Sequence, residues 1–148
     1  MNTHPYLRAY MAGVVAPSVG VLVALTVFIL TRLVFHVPIP IERVIMFPMG
    51  VIPMAFGLWN ILYVSTRPHR SWPIGLHGAL LPVILVGIGA FFAVSGGFMA
   101  IGSVGVTLFQ TINVTYSLIA TWFVGALALY YLVWKYIVGY LNQVLGVA

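Results

Sequence analysis

The chain has no cysteine, and in 148 residues it has a single acidic one, Glu42. The missing thiols exclude disulfides, thiolate metal sites, iron–sulfur ligation and cysteine nucleophiles. They also leave the redox compartment unmarked. With one carboxylate there is no acid pair for general acid–base work. No serine stands beside a base, and no glycine-rich loop faces a helix that would cradle phosphate. Hydrolysis and phosphoryl transfer therefore lack their side chains.

Charge of either sign is scarce. Glu42 stands against six Lys and Arg, and charged residues make up 5% of the chain. Residues 9–31, 44–66 and 71–134 carry none. A soluble domain has roughly a quarter of its residues charged. The basic residues are also too dispersed for a nucleic-acid patch. They suit a protein that meets anionic headgroups at a few points.

What is present is apolar: 63% of the residues are hydrophobic. A helix needs about 20 apolar residues to cross a bilayer, and the uncharged runs supply several such lengths. The expected fold is all-α, a polytopic bundle of four transmembrane helices with short loops, forming one transmembrane domain over residues 1–148. The spans fall at about 9–35, 43–65, 73–95 and 113–135. Pro73 opens the third, at a position where proline is favoured. The first run is too long for the core of a cleaved signal peptide, and we read it as a retained span. The stretch from Gly96 to Ile112, with four glycines, is uncharged and is left open as loop, re-entrant segment or helix start.

Orientation follows the basic residues. With four spans, Arg8, Arg67, Arg70 and Lys135 fall on one side, and Arg32 and Arg43 on the other beside Glu42. We expect both termini in the cytoplasm, in a bacterial-type inner membrane. Tyr6, Tyr10, Tyr63, Trp72, Trp134 and Tyr136 fall at the same boundary, which suits rings with a polar handle.

Small residues one turn apart let membrane helices approach closely. Ala12, Ala16, Gly20 and Ala24 form such a stripe on span 1, Gly89 and Ala93 on span 3, and Ser117, Thr121 and Gly125 on span 4. They predict a tight bundle or one that also packs on partners. Span 2 contains Pro48, Gly50 and Pro53, which remove backbone hydrogen bonds and bend the helix. With Asn60 they mark a candidate pathway or packing kink. The uncharged tail, residues 136–148, is too long to continue span 4 within a bilayer. It is expected to lie along the interface after a bend near Gly139, or to dock on another protein.

Four histidines are present, but no two fall at mid-membrane on facing spans as a bis-histidine haem requires. His77 sits near the cytoplasmic face in Gly75-Leu-His77-Gly78. With Arg67 and Arg70 it is a candidate for binding a quinone or a lipid headgroup. Glu42 opens span 2, where a carboxylate complements the helix dipole.

These observations predict a small non-catalytic membrane protein, an accessory or structural subunit of a larger membrane complex. Its partners would be membrane lipids and other membrane subunits or copies of itself, with no nucleic acid. The alternative is a small oligomeric channel or transporter conducting through span 2. A third is a quinone- or lipid-binding anchor. No cofactor is required, though a bound phospholipid or quinone would fit.

Overall fold

The computed structural model describes residues 4–36, 41–69, 72–108, 110 and 112–147, with the backbone alone for residues 41–49 and 69. The chain is mostly helical. Helix α1 spans Pro5–Val34 and α2 Ile41–Thr66, followed by a single 3-10 turn at Arg67–His69. Helix α3 spans Ile74–Ser95 and α4 Tyr116–Leu132. The final helix continues through a π-helical stretch, Val133–Val138, into α5, Gly139–Val144.

Among the described residues three helices are long and apolar enough to cross a membrane: Pro5–Val34, Ile74–Ser95 and the joined stretch Tyr116–Val144. The Gly50–Thr66 part of α2 is apolar but shorter. Helix α1 begins at Pro5, where a missing N–H costs nothing, and ends at Phe35, whose N–H donates to the Thr31 carbonyl. Helix α3 ends in a Schellman turn. The Phe98 N–H donates to the Ala93 carbonyl at 2.8 Å and Gly97 N–H to Val94 at 3.1 Å. Gly97 takes the left-handed conformation, φ 71°, that this turn needs.

The all-α expectation is corrected between α3 and α4. Three strands, β1 Met99–Ile101, β2 Gly105–Leu108 and β3 Ile112–Thr115, form an antiparallel sheet in the order β1-β2-β3. Asn113, expected to open span 4, lies in β3, and the helix begins at Tyr116. The physical reason is alternation. Met-Ala-Ile, Val-Thr-Leu and Ile-Asn-Val-Thr place apolar side chains at every second position, which suits a strand, while Gly102 and Gly105 flank the first turn.

The chain divides into two compact units, one of residues 1–72 and 136–148, the other of residues 73–135. The first contains α1, α2 and α5. The second is the α3–α4 hairpin with its sheet.

Candidate functional site

In the first unit, α1 and α2 meet through a pair of glycines. A methyl group on Gly13 would lie 2.6 Å from the Phe56 carbonyl oxygen and 2.9 Å from the Gly57 Cα. One on Gly57 would meet the Tyr10 ring at 2.5 Å and Val14 at 2.8 Å. Ala9, Ala12, Gly13 and Pro17 of α1 are buried, as are Phe56, Gly57 and Asn60 of α2. The stripe read from the sequence coincides with this seat only at its start. Ala12 is buried and Ala16 half-buried, whereas Gly20 and Ala24 are exposed. The reason is position along the helix. At about 100° per residue Gly20 and Ala24 lie on the same face as Ala9, Gly13 and Pro17, but the buried residues of α1 end at Pro17.

Asn60 is fully buried beside this seat. Its Nδ2 donates to the Ala9 carbonyl at 2.7 Å and to the Asn142 Oδ1 at 2.7 Å. In return the Asn142 Nδ2 donates to the Asn60 Oδ1 at 3.0 Å. Asn142 lies on α5 and is 1% exposed. The two amides thus form a reciprocal clasp joining the last helix to α2, with α1 held by the third bond. Buried polar groups demand partners, and these two supply each other. Arg8 adds a contact from its Nη1 to the Leu145 carbonyl at 3.4 Å. A cation there complements the negative end of α5. That helix closes on Gly146, φ 66°, with Val147 N–H donating to the Asn142 carbonyl at 2.9 Å. The apolar tail therefore docks on the chain's own first two helices, a destination the sequence reading omitted.

Of the candidate pathway residues, Pro53 is half-buried and Gly50 exposed, with open space where a Cβ would go. Helix α2 runs through both Pro48 and Pro53. The Pro48 side chain lies outside the described residues. Asn60 belongs to the clasp rather than lying beside Gly50.

The second unit has its own seat. Gly75, His77, Gly78, Leu81 and Pro82 of α3 are buried. A methyl group on Gly75 would lie 2.7 Å from the Tyr131 ring, and one on Gly78 would overlap the Trp134 side chain. The His77 and Trp134 rings are 5.9 Å apart between centroids and tilted by 48°. Trp134 is fully buried. The open backbone that the sequence offered around His77 is thus occupied by the chain's own aromatic rings. Lys135 places its Nζ 5.8 Å from the Tyr131 ring centroid, within cation–π range. Arg67 is exposed at the end of the first unit. Arg70 lies outside the described residues.

The remaining small residues of this unit do not pack within it. Gly89 and Ala93 are half-exposed, and Ser117, Thr121 and Gly125 are exposed. Neither Gly89 nor Gly125 has an atom within 4 Å of a notional Cβ. The Thr121 hydroxyl donates to the Ser117 carbonyl at 2.9 Å on its own helix, the usual destination of a helical threonine. Beside the sheet, a shallow groove of about 280 Å³ is lined by residues 102–107 and 113–115.

Sequence reasoning missed Gly13, Gly57 and Asn142. The first two were visible only as glycines in glycine-rich spans. Asn142 had a signal: it is an amide in an otherwise apolar tail. Among the described residues no cluster of three metal-ligating side chains occurs. No protein-family model matches the chain, and no characterised protein or solved structure matches it either.

Proposed function

We propose that the chain is a four-span integral membrane protein, with α2 as the additional span, serving as a non-catalytic accessory subunit of a larger membrane complex. The observation that carries this reading is the outer surface of the α3–α4 hairpin. Helix α4 has no buried residue from Tyr116 to Leu132, yet it presents Ser117, Thr121 and Gly125 one turn apart. On α3, Gly89 likewise opens onto empty space. Bulky apolar side chains suffice for facing lipid. Small residues at helical spacing suit a second helix, because they let backbones approach. Both termini lie on the cytoplasmic side in this reading, where most of the basic residues fall.

The test is native mass spectrometry on the protein solubilised in mild detergent from its own host. Stoichiometric foreign subunits, lost in Gly125→Leu but retained in Gly20→Leu, support the accessory role. A monomer or a pure homo-oligomer refutes it.

A further inference from the structure

The three-stranded sheet between α3 and α4 has two unlike faces. Residues paired directly across an antiparallel sheet share a face, and neighbours along a strand alternate between faces. The register pairs Met99 with Leu108 and Leu108 with Ile112, and pairs Ile101 with Val106 and Val106 with Val114. One face therefore carries six apolar side chains. The other carries Ala100, Gly105, Thr107, Asn113 and Thr115, with the Thr107 hydroxyl donating to the Asn113 Oδ1 at 2.7 Å. On the apolar face Ile101 is 68% exposed and Ile112 49%, while Met99, Val106, Leu108 and Val114 are half-buried.

We infer that this sheet is a lipid-docking plate whose apolar face lies on the acyl chains at the membrane boundary, with the Thr107–Asn113 face turned to water. Three observations select lipid as the occupant. First, the sheet is continuous with the two apolar helices. Only residues 96–98 separate α3 from β1, and β3 runs directly into α4. The Tyr116 hydroxyl also donates to the Gly102 carbonyl at 2.6 Å, fastening the first turn to the start of α4. The plate therefore has no linker with which to lift away from the bilayer. Second, no charged residue lies between 71 and 134, so nothing near the plate opposes contact with hydrocarbon. Third, β1 and β3 are edge strands whose outward backbone groups need water or headgroups. That excludes the hydrocarbon interior and places the sheet at its rim. Amphipathic elements settle at this depth, apolar side down.

The inference rests on α3 and α4 spanning a membrane and is independent of the accessory role. The cysteine-free chain allows a clean test. Single cysteines at Ile101, Ile112, Ala100 and Thr107, with Trp122→Cys in α4 as a spanning control, are spin-labelled in the full chain reconstituted into phosphatidylcholine vesicles. Collision with oxygen, which partitions into lipid, is compared with collision with a water-soluble nickel chelate. The expected result is an oxygen-to-nickel ratio several-fold higher at Ile101 and Ile112 than at Ala100 and Thr107, with Trp122 resembling the first pair. Equal nickel access to both faces overturns the proposal, since the plate then stands in water. Exclusion of both reagents at Ile101 and Ile112 also overturns it, since a protein then covers the face. In either case an oxygen-rich Trp122 leaves the membrane reading standing, whereas nickel access at Trp122 removes both.

Discussion

Replacing Asn142 by leucine removes two of the three hydrogen bonds of the amide clasp and leaves the third, from Asn60 to Ala9. A hydrogen bond contributes about 0.5–1.5 kcal/mol net, so two contribute about 1–3 kcal/mol. Asn60 and Asn142 form one polar pair, and such pairs between membrane helices average about 0.6 kcal/mol in double-mutant cycles, which sets the scale of the expected non-additivity. Asn142→Leu also strands the Asn60 Oδ1 in a buried site, which pushes the cost toward the upper end. Asn60→Leu strands the Asn142 amide in turn. The double variant strands neither, because the Ala9 carbonyl still has its own helix. The expected outcome is a double variant costing clearly less than the sum of the two single ones. Reversible unfolding in mixed micelles reads the energies. A second readout is maleimide labelling of Val138→Cys, a fully buried position, which should accelerate when α5 releases. Sites that do not interact add to within about 0.3–0.5 kcal/mol. Additivity within that margin, with unchanged labelling, would refute the clasp.

Further outcomes follow from the two packing seats. Gly13→Val should destabilise the chain by at least about 1–3 kcal/mol through overpacking against α2, whereas Gly20→Val should be nearly silent in the same thermal unfolding assay. Gly78→Ala should lower the melting temperature by displacing Trp134, and tryptophan emission should shift as the indole loses its buried seat; Gly87→Ala, where a Cβ meets nothing, should change neither. Arg8→Gln should speed protease trimming at the C-terminus without a comparable loss of overall stability, because the contact to Leu145 is long and only part-buried.

Much of the helical scaffold was legible in the sequence, because runs without charge are decisive where the solvent is hydrocarbon. Helix α3 falls within two residues of the span expected at 73–95. The sheet was not legible. Its strands are three or four residues long, and apolarity shared with the flanking spans masked the period-two pattern. The packing seats were half legible. Small residues announced close approach, but their spacing carried no mark of where along α1 the seat ends, after Pro17. An amide inside an apolar span, such as Asn60, announces that it needs a partner. That the partner stands 82 residues later depends on the path of the final helix, which no local pattern encodes. The tail illustrates the same limit: one side of it, with Val138 and Asn142, is buried, while Tyr136, Tyr140 and Val144 stay exposed.

The Asn60–Asn142 clasp consists of neutral dipoles, and this sets what can loosen it. Carboxamides take up and release no proton in the physiological range. Moving one elementary charge through the membrane potential is worth about 2.3 kcal/mol per 100 mV, but an uncharged pair does no such electrical work. The last helix is therefore latched by a contact that an energised membrane and an acidified compartment leave unchanged. It opens only to a competitor that offers both amides better hydrogen bonds than they offer each other.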